Sequence, residues 1–184
     1  MYWRMTKILK NIFSLLIILT VSVSCGSNKT RNNSENFNPT QYKEPLEKAN
    51  KYLVKEYARR IKNYVDRHGW KMQQTQTGLW YEIYYHGKGK KVKTGDIVEI
   101  NYDIYLLDGT LCYSSDSLGP KQFVVGHGGV ESGLEEGILM LHQGDKARFI
   151  MPPYMAHGLL GDDNKIPPLS IILYYVEVLN VYEK

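Results

Sequence analysis

An α+β fold, with one antiparallel sheet closed on one side by a short helix and preceded by a separate N-terminal helix, is predicted by three observations. Apolar residues recur at intervals of three and four over residues 44–68. From Thr77 onward the hydrophobic period changes to two. Only one helical pattern interrupts that alternation, around Ser132 to Met140. Strands that run on with a single short helix among them specify α+β rather than alternating βα units. No internal repeat of about 20–50 residues is visible, so solenoids and propellers are excluded.

The elements follow in chain order. Arg4, Lys7 and Lys10 precede an apolar run from Ile12 to Val23, then small residues and Cys25. A positive end, a short apolar stretch and a small-residue site make residues 1–24 an export signal. As a helix the run is only about 18 Å long, short of the ~30 Å hydrocarbon core, so a stable membrane span is disfavoured. Residues 25–43 are rich in Ser and Asn at their start and read as a flexible tether. Residues 44–69 form the amphipathic helix, with Leu46, Ala49, Leu53, Tyr57, Ile61, Tyr64, Val65 and His68 on one face. Pro45 is expected in its first turn and Gly69 at its stop. Its other face is basic and reads as a solvated surface. The apolar stripe is narrow, so the helix is expected to be dispensable for the folded domain at 70–184.

In that domain Leu79–Tyr85 is a strand ended by Gly87-Lys88-Gly89, and Asp96–Leu107 is a long one. Val98, Ile100, Tyr102, Ile104 and Leu106 point one way along it. Asp108-Gly109 signals a hairpin into residues 110–115. Gln122–Val125, Lys146–Met151 and Ser170–Val181 are further strands. Ser132 and Glu135 have capping-box spacing ahead of the stripe Leu134, Ile138 and Leu141.

Charge narrows the function. The chain carries +4, but residues 71–184 hold fourteen acids against ten bases. Without residues 1–24 the chain is near +1 and its folded part is acidic, which excludes nucleic-acid binding. Cys25 and Cys112 are the only cysteines, so no disulfide framework or cysteine metal cluster is possible. The five histidines lack paired ligand spacing. Gly126-His127-Gly128-Gly129 lacks the Lys-Ser/Thr of a phosphate loop and reads as a glycine-permissive turn. Ser114 and Ser115 have no nucleophile-elbow context, and Glu135 and Glu136 diverge by about 100° on a helix. What remains is an apolar and aromatic concavity. Tyr102, Phe123, Val125, Val130, Leu134, Ile166 and Tyr174 are placed to converge where the short helix meets the sheet.

The order of motifs Val130–Ile138, Gly144-Asp145-Lys146-Ala147, Ile150-Met151-Pro152-Pro153, Ala156-His157-Gly158, Gly161, Ile166-Pro167-Pro168 and Val176–Leu179 resembles the FKBP-type peptidyl-prolyl isomerases. The resemblance covers about residues 79–184. With the upstream helix and Cys25 it extends to the lipoprotein branch, similar to gliding-motility-associated isomerases of bacteria. Val23-Ser24-Cys25-Gly26 likewise resembles a lipobox, although Ser22 stands where that motif usually has Leu. The resemblance implies an FKBP-like antiparallel sheet of five to six strands wrapped around one short helix. It also implies rotation about the bond preceding proline, with no cofactor and with Xaa-Pro segments of exported polypeptides as substrates. The expected location is a bacterial cell envelope, facing the periplasm, with the membrane bound through a lipid on Cys25.

Carried over residue by residue, the resemblance implies catalytic roles for Tyr102, Tyr113, His157 and Tyr174. Cys112, Phe123, Val130, Glu131, Leu134 and Ile166 are implied to bind substrate. Five of these depart from the family's pattern, Leu134 tolerably and the other four with more consequence. Cys112 and Tyr113 replace a Phe-Asp pair, Glu131 replaces an apolar residue whose backbone N–H contacts ligand, and His157 replaces a tyrosine. Leu134 takes the place of a floor tryptophan. Tyr113 is expected to lose a charged acceptor and to crowd the cavity, so that restoring Phe-Asp at 112–113 would raise the rate. Two functions therefore stand: a lipoprotein isomerase assisting the folding of exported proteins, or an FKBP-like module that binds proline segments with little turnover.

Overall fold

The computed structural model describes residues 39–183. The expected signal, Cys25 and most of the expected tether lie outside the described residues. One compact unit begins at Lys43 and holds the rest. Helix α1 runs Pro39–His68, starting five residues before the expected position 44. Proline suits a first helical position because its missing N–H would be unpaired there. Pro45 is consequently inside the helix rather than in its first turn.

The sheet is antiparallel throughout and has seven strands: β1 (Gln73–Gln74), β2 (Trp80–Tyr85), β3 (Ile97–Leu106), β4 (Leu111–Ser114), β5 (Lys121–Val124), β6 (Lys146–Met151) and β7 (Ile172–Tyr182). Their order is β1-β2-β6-β7-β3-β4, with β5 also pairing along β3. The strand beyond the expected five to six is the two-residue β1, too short to show a period. Helix α3 (Ser132–Ile138) packs across the inner face and ends before the expected Met140. The expected single helix is joined by two shorter ones, α2 (Ser115–Leu118) and a 3-10 turn at Pro153–Met155.

The inner core is built from the alternating residues. Val98, Ile100, Tyr102 and Ile104 of β3, Ile172, Tyr174, Val176 and Val178 of β7, and Phe149 of β6 close around Leu134 and Ile138. Gly137 makes this possible, since a Cβ there would lie 2.7–2.9 Å from the Phe149 ring. The helix therefore sits directly on β6. Ser114 ends β4 and Ser115 begins α2: Ser114 Oγ caps α2 by accepting the Asp116 N–H at 3.1 Å, and Ser115 Oγ accepts the Tyr102 N–H at 3.0 Å.

The capping box does not form. Glu131 is the N-cap of α3, Ser132 Oγ donates to the Met155 carbonyl at 3.3 Å, and Glu135 turns to the glycine loop. Its carboxylate accepts the Gly126 N–H at 2.6 Å and the Gly128 N–H at 3.0 Å. The loop amides that tempt as an anion cradle are thus taken by the protein's own carboxylate.

A second core occupies the outer face. Tyr57, Ile61, Tyr64 and Val65 of α1 are buried against Ile150, Ile171 and Leu173, with Trp70, Met72 and Trp80 around them. The expectation that α1 is dispensable rested on a narrow stripe, and the C-terminal part of that stripe is buried against the sheet. The N-terminal part of the expected stripe, Leu46 and Leu53, is exposed, because it has no sheet beneath it to cover. Arg148 holds the segment just after α1 to the sheet: its guanidinium lies 4.3 Å from the Trp70 ring centroid and 4.7 Å from that of Tyr84.

Candidate active site

The site forms where α3, β3, β7 and the 157–166 loop meet. Tyr102 and Tyr174 face inward from adjacent strands, with ring centroids 6.1 Å apart and planes tilted by 38°. Tyr174 is completely buried, and Leu134 and Ile166 beside it are equally so. Phe123 and Val130 are half-buried against the same core. The residues expected to make an apolar concavity therefore share one cluster.

Polar groups line one side of it. Tyr174 Oη donates to both oxygens of Glu131 at 3.3 Å. His157 Nε2 lies 3.2 Å from Glu131 Oε1, without the alignment of a hydrogen bond. Burial pushes the Tyr174 phenol far above the ordinary tyrosine range, and the adjacent Glu131 charge adds to this. Tyr102 is raised for the same two reasons, burial first. Both therefore stay protonated at neutral pH and serve as wall and donor, not as base. The Glu131 backbone N–H has no acceptor among the described residues, which leaves it available to a ligand carbonyl.

Two further residues belong to the site and were not anticipated. Lys121 Nζ lies 5.0 Å from the Tyr102 ring centroid and donates to Tyr174 Oη at 3.4 Å. Asp162 accepts the Tyr113 hydroxyl, and its other oxygen accepts the Asn164 N–H at 3.0 Å and the Ile166 N–H at 2.8 Å. Burial alone would push the Asp162 carboxyl up, but these donors, Tyr113 first, outweigh it and hold it below the usual carboxylate value. Lys121 is hidden in the sequence because its strand neighbour Phe123 carries the apolar signal. Asp162 sits in the run Gly161-Asp162-Asp163-Asn164, which reads as an ordinary turn.

The expectation for positions 112 and 113 changes accordingly. The Tyr113 hydroxyl is bound to Asp162, with Lys165 Nζ 5.3 Å from its ring centroid. A carboxylate next to position 113 is therefore present, supplied from the 157–166 loop. Cys112 is buried in the inner core, with Sγ 3.6 Å from the Lys165 carbonyl. Burial raises its thiol pKa, so it packs rather than reacts.

Among the described residues, no three His, Cys, Asp or Glu side chains gather as a metal site. A separate apolar cavity of about 340 Å³ lies between α1 and the 158–169 loop, lined by Leu53, Val54, Tyr57, Pro153, Leu159 and Leu169. None of the expected site residues reaches it.

Known proteins share this fold. The profile of the family described as FKBP-type peptidyl-prolyl cis-trans isomerase matches residues 88–179. FK506-binding protein 2 of Yarrowia lipolytica is 34% identical over 112 residues, which cover 60% of this chain and 78% of that one. FkpA of Escherichia coli, an FKBP-type peptidyl-prolyl cis-trans isomerase, is 35% identical over 111 residues, or 60% of this chain. Its crystal structure superposes with a TM-score of 0.60 at 26% identity, covering 84% of this chain and 75% of that one. The matched stretch spans less than half of the bacterial relatives' sequences, 46% of a Haemophilus influenzae protein and 40% of FkpA. By its fold, its motif order and its similarity across these residues, the chain belongs to the FKBP-type peptidyl-prolyl cis-trans isomerase family.

Proposed function

We propose that the chain is a peptidyl-prolyl cis-trans isomerase anchored in a bacterial cell envelope by a lipid on Cys25, assisting the folding of exported polypeptides. The activity is carried by one observation: Tyr102, Tyr174, Leu134 and Ile166 gather in one apolar cluster, with the unengaged backbone N–H of Glu131 at the start of α3. Rotation about the bond before proline has an uncatalysed barrier of ~18–20 kcal/mol and makes or breaks no bond. Walls that accept the proline ring and a fixed donor for a neighbouring carbonyl favour the twisted amide over the planar one. No nucleophile, base or cofactor is required. The anchor is supported by Arg4, Lys7 and Lys10, the apolar run to Val23 and the Val23-Ser24-Cys25 sequence.

The test is proline-limited refolding of a denatured protein in the presence of the chain lacking residues 1–25. Catalytic amounts are expected to accelerate the slow phase. An unchanged slow phase, under conditions where Escherichia coli FkpA accelerates it, overturns the proposal. The second reading, a proline-segment binding module with little turnover, is favoured by Lys121, Glu131 and His157 lining one side of the site. Binding of proline peptides without acceleration selects it.

A further inference from the structure

We infer that Glu131 sets the sequence preference of the proline site, favouring segments that carry a lysine or arginine beside the proline. This rests on the reading of the site as a proline site. The Glu131 side chain is 9% exposed, yet its carboxylate is poorly satisfied. It receives one phenol shared between two oxygens at 3.3 Å and an unaligned imidazole at 3.2 Å. No lysine or arginine nitrogen lies within 4.0 Å of it among the described residues. A buried carboxylate in that condition gains from any cation brought to it.

The other charges of the site are already committed. Asp162 is saturated by Tyr113 and two backbone amides. Lys121 is turned to the Tyr102 ring and to Tyr174 Oη, whose own proton goes to Glu131. Lys165 lies over the Tyr113 ring, on the Asp162 side. Glu131 is thus the site carboxylate left to pair with a ligand. The same residue offers the backbone donor for the bound segment, so its carboxylate lies within one side chain's length of the residues flanking the proline. An ammonium or guanidinium there completes the pair, whereas a glutamate there meets a like charge.

The experiment uses the full chain in detergent micelles and three peptides alike except for Lys, Leu or Glu before the proline. Both kcat/KM and Kd are measured for each. The expected order is Lys-Pro over Leu-Pro over Glu-Pro, with about tenfold between the first two, the scale of one charge-assisted hydrogen bond. Glu131→Gln keeps the shape and removes the charge, and is expected to bring that ratio close to one. Should the Gln variant not fold, the wild-type order and its decline with added salt decide the matter. Equal Kd for the three peptides, a ratio unchanged in Glu131→Gln, or a preference for Glu-Pro overturns the inference. Tightest binding of Lys-Pro with no turnover of any peptide overturns the isomerase reading and leaves the role of Glu131 standing. Equal turnover of all three does the reverse.

Discussion

Tyr113 and Asp162 show how much one side-chain hydrogen bond determines at this site. Tyr113→Phe removes the hydroxyl donor and leaves Asp162 with its two backbone partners. The expected cost is about 1 kcal/mol in urea unfolding, the usual net value of such a bond. Asp162→Asn tests the same interaction through pH. The folded carboxyl titrates below its unfolded value of 3.8, so its charged form contributes stability above that value. The advantage of wild type over Asp162→Asn is therefore expected to be full above pH 3.8 and to shrink as pH falls through the depressed folded value. A difference between the two urea midpoints that stays constant across this range counts against the assignment. The double change Cys112→Phe with Tyr113→Asp now has a different expected outcome from the one its sequence suggests. An acid at 113 faces Asp162, so the variant is expected to lose stability and rate rather than gain rate. Tyr102, Tyr174 and Leu134 were legible because each occupies an inward position of a periodic element, and Ile166 because it opens the Ile166-Pro167-Pro168 motif. Lys121 and Asp162 were not, because a lysine on a short strand and an aspartate in a turn are ordinary in sequence and acquire a role only through the partners the fold brings to them.

At the scale of elements, the sheet was readable and the role of α1 was not. Period-two alternation placed β2, β3, β6 and β7 to within one or two residues, since each has one face in a core. The helical period placed α1, but periodicity says which face is apolar and not what covers it. What covers it is the outer face of the sheet, through Ile150, Ile171 and Leu173. Antiparallel sheets commonly leave one face to water, whereas here the second face is partly covered by α1. The capping box failed for a related reason: Glu135 has a better partner in the glycine loop, and local spacing cannot weigh a distant competitor. The consequence for α1 is measurable. Ile61 is 1% exposed, and Ile61→Ala is expected to destabilise the chain by ~2–5 kcal/mol, the range for truncating a buried isoleucine. Leu53→Ala, on the uncovered part of the same helix, is expected to cost under ~1 kcal/mol. Equal, small effects from both would mean that α1 does not hold the sheet in solution.

The whole chain combines a basic N-terminal segment with an acidic domain, and this asymmetry bears on how it is held. Residues 71–184 carry four more acids than bases, so the domain gains nothing from an anionic bilayer surface. The exposed basic residues of α1, among them Lys48, Lys51 and Lys55, are partly offset by Glu44 and Glu47 on the same helix. Among the described residues no helix is long and apolar enough to cross a membrane. Under the proposed anchoring, attachment would rest on the segment ending at Cys25. One acyl chain gives only marginal, reversible binding, and each buried methylene adds about 0.8 kcal/mol, so a multiply acylated cysteine holds where a single chain does not. Cys25→Ser removes the acceptor for every such chain while leaving all of residues 39–183 unchanged. The variant is expected either to appear in the soluble fraction or to accumulate with its signal uncleaved, and in both cases to lose incorporation of labelled fatty acid. Its refolding activity, assayed after detergent extraction, is expected to equal that of wild type, because the residues assigned to the proline site all lie between Tyr102 and Tyr174. Normal processing, membrane recovery and label incorporation in Cys25→Ser would refute the anchor, and would return the N-terminal apolar run to the role of a plain secretion signal.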